Sequence, residues 1–166
     1  MSKTILYIAP PQEYFKNVIK VIRENSKKGI IYVTTNKPYE HLINLFKEQK
    51  IDFNNIFFID CISKQITRSK EYTKNCVYLE SPSDITGLSI AMTQASKLIS
   101  GEKTLLLDSL STLFIYNNED VVGKFSNFII NMIRTNSVSC IFFVLESDMD
   151  KKIMSVISSF VDEVRK

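Results

Sequence analysis

The chain has 166 residues, 45% of them apolar and 23% charged, with only four glycines and four prolines. At roughly 150 residues per domain the length allows one core, and the composition excludes a disordered, collagen-like or low-complexity polymer. The formal charge of +3 is unevenly spread: residues 1–75 carry 13 Lys/Arg against 7 Asp/Glu, net +6, and residues 76–166 carry 8 against 11, net −3.

That asymmetry fits a nucleic-acid or acidic-partner contact on one side, or a solvated lysine-rich surface. Apolar runs such as Leu105 to Leu107 and Ile141 to Leu145 fall far short of the roughly 20 residues that span a bilayer, and MSKTILYIAP lacks a signal-peptide cleavage pattern. A single-domain cytoplasmic protein without membrane contact is expected. Cys61, Cys76 and Cys140 form no CxxC pair and adjoin apolar residues, which reads as reduced core thiols.

In chain order, TILYIA at 4–9 reads as a buried strand ended by Pro10 and Pro11. Residues 12–27 put Phe15, Val18, Ile19 and Ile22 on one helical stripe, with Gly29 closing the helix. IIYVT at 30–34 is β-rich, and Pro38 opens a helix to about Lys50 with Tyr39, Leu42, Leu45 and Phe46 inward. IFFID at 56–60 and CVYLE at 76–80 flank a polar stretch, Ser63 to Asn75, which reads as an exposed loop or short helix. Ser83 or Asp84 caps a helix carrying Ile85, Leu88, Met92, Ala95 and Ile99, and Gly101 ends it. Then follow TLLLD at 104–108, a helix from Asp120 to Arg134 with Val121, Phe125, Phe128, Met132 and Ile133 inward, CIFFVLE at 140–146, and a helix using Met149, Ile153, Val156, Ile157 and Phe160. VDEVRK has the look of one further strand.

Strands apolar throughout and separated by amphipathic helices need cover on both faces. The pattern predicts a three-layer, doubly wound, mainly parallel α/β sheet. Such sheets place function outside the carboxyl ends of their strands, here Ala9 to Gln12, Thr34 to Asn36, Asp60, Asp108 with Ser109, and Glu146 with Ser147.

A phosphate cradle after the first strand needs glycines, whose backbone lets successive N–H groups curl around the anion. The sequence has Pro10, Pro11, Gln12 and Glu13 there: two missing donors and a negative charge. TLLLD, by contrast, delivers Asp108 to the sheet edge in the form of a Walker B strand, or as the cap of the following turn. Ser109 to Asn118 mixes polar Ser111, Thr112, Tyr116 and Asn117, a candidate interaction loop, with apolar anchors Leu110, Leu113, Phe114 and Ile115. His41 is the only histidine and no G-x-S-x-G occurs, so a Ser/His/Asp triad has no support. Asp60, Asp108 and Glu146 all end strands and as a cluster would suit only Mg²⁺ or Ca²⁺, which makes Asp108 the candidate metal ligand.

The order of elements, the IYVTT strand, SPSDITGLSIA through LLLDSLSTLFIYN at Ser81 to Asn117, and the closing VDEVRK resemble the RecA superfamily. Within it the likeness is to archaeal KaiC-like ATPase domains with a degenerate P-loop, over Thr4 to Arg165. The resemblance implies that fold, matches Asp108 to the Walker B aspartate and Ser109 to the hydroxyl residue after it. At the Walker A position it sets Ala9 to Lys16 against G-x-x-x-x-G-K-[ST]: both glycines are gone, Phe15 stands where lysine belongs, and Lys16 is one position late. Where catalytic members carry glutamates after the second strand, this chain has Thr34, Thr35 and Asn36. Pro10 to Glu13, Lys16, Thr34 to Asn36, Asp108, Ser109 and Glu146 then form a vestigial nucleotide site.

The expectation is a non-catalytic, cofactor-free protein that works by binding a protein partner or another copy of itself. A residual ATPase using Asp108 for Mg²⁺ and Lys16 for phosphate is the alternative. So is nucleic-acid binding through Lys64, Arg68, Lys70, Tyr72 and Lys74, where an aromatic among cations could stack on a base.

Overall fold

The computed structural model describes residues 2–68 and 73–166. Seven strands, β1 (Thr4–Ala9), β2 (Gly29–Thr34), β3 (Ile56–Asp60), β4 (Cys76–Tyr78), β5 (Lys103–Asp108), β6 (Ser139–Leu145) and β7 (Glu163–Arg165), form one sheet in the order β4-β3-β2-β5-β6-β1-β7. Every pairing between them is parallel. The helices are α1 (Tyr14–Glu24), α2 (Tyr39–Glu48), α3 (Ser63–Ile66), α4 (Ile85–Leu98), α5 (Leu110–Tyr116), α6 (Glu119–Thr135) and α7 (Lys152–Phe160). Among the described residues no helix is long and apolar enough to cross a membrane.

The chain sweeps one way across the sheet from β1 to β4 and back the other way from β4 to β7. Because parallel crossovers are right-handed, the reversal sends the two sets of helices to opposite faces. Ile5, Tyr7, Tyr32, Phe58 and Phe143 pack with α1 and α2 on one face. Leu6, Ile8, Ile31, Leu107 and Phe142 pack with α4 to α7 on the other. Cover on both faces is why β1 is buried at every position. All three cysteines are buried and none is in a disulfide.

Local details differ from the sequence reading. Helix α1 stops at Glu24, and Gly29 begins β2 rather than closing the helix, because Asn25 to Lys28 form the turn between them. Most of the expected interaction loop is helical, as α5 (Leu110–Tyr116): the Ser109 side chain accepts from Thr112 N–H and starts it. Ile115, taken as an anchor, is 79% exposed, and Phe128, taken as inward, is 49% exposed. On α6 the buried stripe runs instead through Val122, Phe125, Ile129, Ile130 and Ile133. Of the two caps offered for α4, Asp84 serves, accepting from Gly87 N–H at 2.9 Å. Gly123 lies where α6 meets α7, and a Cβ there would stand 2.5 Å from the Ile153 Cδ1 atom, so the Ile153 side chain would have to turn aside.

Candidate functional site at the carboxyl edge of the sheet

The carboxyl ends of β1, β2, β5 and β6 meet under a cleft of about 460 Å³ whose lining includes Pro11, Tyr14, Asn36, Lys37, Ser109 and Lys151. Asp108 ends β5 beneath it and is fully buried. Its Oδ1 accepts from the Tyr14 hydroxyl at 2.7 Å and its Oδ2 from the Tyr32 hydroxyl at 2.5 Å. Tyr14 is the first residue of α1 and Tyr32 lies in β2, so the carboxylate is clasped from two sides of one face. Burial, and then the Asp108 charge, pushes both tyrosines well above the ordinary value of 10.

Next to it, β2 and β5 are locked by side chains. Thr35 N–H and Oγ1–H both donate to the Asp108 carbonyl, at 2.9 and 3.0 Å, and Ser109 N–H donates back to Thr35 Oγ1 at 2.9 Å. The Asp108–Ser109 peptide bond is cis. Thr34 Oγ1–H donates to the Lys37 carbonyl at 2.6 Å and shapes the turn into α2. Both threonines are buried, whereas Asn36 is exposed on the cleft.

The connection after β1 is short. Pro11 to Glu13 form a single 3₁₀ turn in which Glu13 N–H donates to the Pro10 carbonyl at 3.1 Å, and α1 follows without a loop. Gln12 and Glu13 face solvent, and Lys16 points away, its side chain 81% exposed and 3.5 Å from Glu13. Glu146 lies exposed in a 3₁₀ turn after β6. The acids expected as a possible cluster do not gather: among the described residues no group of three His, Cys, Asp or Glu could hold a metal ion. Asp60 instead accepts from the N–H groups of Tyr39, Ile62 and Ser63, each at 2.8 Å, and so anchors α2 and α3.

Of the expected interaction loop, Ser111 and Thr112 are only 7% and 8% exposed and belong to α5, where Ser111 Oγ accepts from Leu145 N–H at 2.8 Å. Tyr116 Oη–H reaches Gln65 at 3.1 Å, and Asn117 donates to the Pro82 carbonyl at 3.0 Å. In the basic segment Lys64 pairs with Glu80 at 2.9 Å, Arg68 and Lys74 are exposed, and Lys70 and Tyr72 lie outside the described residues. The sequence reading missed Tyr14 and Tyr32 as partners of Asp108. One signal was available: Tyr14 occupies the place of the second glycine in the Walker A comparison.

A seven-strand all-parallel sheet with helices on both faces matches the KaiC-like RecA/P-loop α/β fold. The chain is similar to a KaiC-like protein from the hyperthermophilic archaeon Pyrococcus horikoshii OT3, with a TM-score of 0.68 at 11% identity, covering 98% of this chain and 69% of that one. A second similar structure, an uncharacterised protein from Pyrococcus horikoshii in complex with an unknown peptide, has a TM-score of 0.68 at 12% identity, over 98% of this chain and 76% of that one. No protein-family profile and no curated protein matches the sequence.

Proposed function

We propose that the chain is a non-catalytic RecA/KaiC-like domain, a pseudo-ATPase that acts as a regulatory or scaffold protein through contacts with a protein partner or another copy of itself. The observation that carries this reading is the Tyr14–Asp108–Tyr32 clasp. The carboxylate that would hold Mg²⁺ has no exposed surface, and both its oxygens are taken by tyrosine hydroxyls. The residues do not fit Mg-ATP in other respects. The turn after β1 offers no run of free amides, and Lys16 is turned out toward Glu13. Each lost charge-assisted hydrogen bond costs on the order of 1.5 to 3 kcal/mol, so several such losses remove most of a micromolar affinity of roughly 8 kcal/mol. The loss of a phosphate cradle beside a retained, fully patterned core supports contact rather than turnover. That a neighbour of the same fold was crystallised with a peptide supports a protein segment as the kind of partner.

The test is a thermal-shift titration with Mg-ATP to millimolar concentration, run beside a phosphate-release assay. No shift and no turnover above a buffer blank are expected, because a ligand that binds only the native state must stabilise it. A shift of several degrees that disappears in Asp108→Ala returns the nucleotide-dependent reading.

A further inference from the structure

The cleft above Asp108 holds more hydrogen-bond donors than the chain itself uses. Lys37 follows β2 and Lys151 follows β6, the two strands that flank β5, and both line this one cleft. Each lysine is half-buried and each ammonium rests over an aromatic ring, Lys37 at 5.7 Å from the Phe15 centroid and Lys151 at 5.5 Å from that of Phe114. A ring face orients a cation without cancelling its charge. Lys151 stands 3.8 Å from Asp148, whereas Lys37 makes no ion pair among the described residues. Two ammonium groups less the Asp148 carboxylate leave the lining with a net charge of +1.

The wall adds neutral donors. Ser111 Oγ, in a residue only 7% exposed, accepts from Leu145 N–H, and its own hydroxyl hydrogen has no acceptor among the described residues. A buried donor without an acceptor is costly, so this wall favours a ligand that brings one. The Asn36 amide, exposed on the cleft, offers two more N–H groups.

The kind of acceptor follows from what surrounds it. A phosphate needs successive backbone amides, yet Pro10 and Pro11 have none and Glu13 N–H is spent on the Pro10 carbonyl. The Asp108 charge beneath Tyr14 repels a polyanion more than a single charge. One carboxylate neutralises the +1 lining and accepts from several donors at once. The rest of the lining includes apolar Pro11, Phe114, Leu145 and Ile115, the last 79% exposed. The volume of about 460 Å³ lies within the roughly 300–1,000 Å³ of ligand clefts and leaves room for the neighbours of a carboxylate in an extended chain.

We propose that this cleft is the docking site for an acidic protein segment, its Glu or Asp carboxylate held by Lys37, Lys151 and Ser111 and its apolar neighbours set against Phe114, Ile115 and Leu145; this rests on the reading that the protein works through protein contacts.

The probe is the acetylated, amidated tripeptide Leu-Glu-Leu, titrated into the isotope-labelled full chain and followed by backbone amide shifts in nuclear magnetic resonance. Saturable shifts at Asn36, Lys37, Ser111 and Lys151 are expected, with a dissociation constant below about 1 mM at low salt. The uncharged twin Leu-Gln-Leu should bind about tenfold more weakly, and so should the Glu peptide to Lys37→Met and to Lys151→Met, the loss of one charge-assisted hydrogen bond. Lys20→Met, which removes an exposed lysine outside the cleft, leaves binding unchanged. Absence of saturation by about 10 mM, equal binding of the two peptides, or wild-type binding by both cleft variants overturns the proposal. Acetate that binds as tightly as the Glu peptide overturns a protein segment as the occupant. The two readings fail separately: a chain that ignores both the peptide and Mg-ATP overturns this site alone, and a chain that binds Mg-ATP overturns the pseudo-ATPase reading whatever the peptide does.

Discussion

Replacing Tyr32 by Phe deletes one hydroxyl and leaves the ring in its place among Phe46 and Phe58, 5.9 Å away centroid to centroid. The lost bond is to an ionised acceptor, a class worth about 1.5–3 kcal/mol. Water cannot substitute, because both Tyr32 and Asp108 are fully buried. The expected loss in unfolding free energy is therefore in the upper part of that range, about 2–3 kcal/mol. Tyr14→Phe should cost less, about 1.5 kcal/mol, since Tyr14 borders the cleft and water can approach the vacated oxygen from there. Asp108→Asn alone should cost more than about 1 kcal/mol, because two bonds to a charged acceptor become bonds to a neutral amide. In the Asp108→Asn background the Tyr32→Phe cost should fall to about 1 kcal/mol, giving a coupling energy well outside the error of a double-mutant cycle. Urea unfolding followed by far-ultraviolet circular dichroism at pH 7 measures all four corners. A Tyr32→Phe change within about 0.5 kcal/mol, the range of ordinary surface substitutions, or strictly additive corners, would refute the clasp as a source of stability.

The same clasp predicts alkaline behaviour: Tyr14 and Tyr32 are raised above 10, so the stability they hold is present in full below pH 10 and drains as pH rises beyond it. Absorbance at ~295 nm should show both rings resisting ionisation until the protein unfolds; ionisation at pH 10 with the fold intact would contradict their burial. At the other extreme, Asp162 accepts from Thr4 N–H and Oγ1–H, both at 2.8 Å, and with nearby Arg134 this holds its carboxyl below the usual value. Its contribution is present above about pH 4 and lost as pH falls through the depressed value, so the Tm gap between wild type and Asp162→Asn should close as pH falls below about 4. A gap independent of pH would refute it. Finally, oligonucleotide anisotropy should reveal no binding tighter than about 10 µM at physiological salt. Tighter, salt-steep binding lost on reversing Lys64, Arg68, Lys70 and Lys74 would restore the nucleic-acid reading.

The fold was legible because β1, β2, β5 and β6 are buried on both faces and so appear as unbroken apolar runs. Helix α5 was not: seven residues span under two turns, too few for a period to declare itself, although the Ser109 cap was there to be read. Asp108 was found as a strand-end acid, yet its state was hidden, because Tyr14 is 94 residues away in sequence and only the fold brings the two together. Tyr32 gave a fainter clue, a phenol between Ile31 and Val33 in a central strand. On α4 the inward residues Leu88, Met92 and Ala95 were identified, but Ile90 and Leu98 were left unassigned. A helix apolar on several sides does not reveal from periodicity alone which side stays bare.

Both margins of the sheet are three-residue strands, β4 and β7. An open strand edge invites other chains to add themselves to it, a route to precipitation that grows with the length and flatness of the edge. At β4 the chain turns back on its own margin, Thr73 N–H donating to the Cys76 carbonyl at 3.2 Å and occupying part of that edge. At β7 the strand itself is ionic, with Glu163 paired to Lys3 and Arg165. The sheet can therefore keep five longer strands in its interior without offering a template for fibril growth.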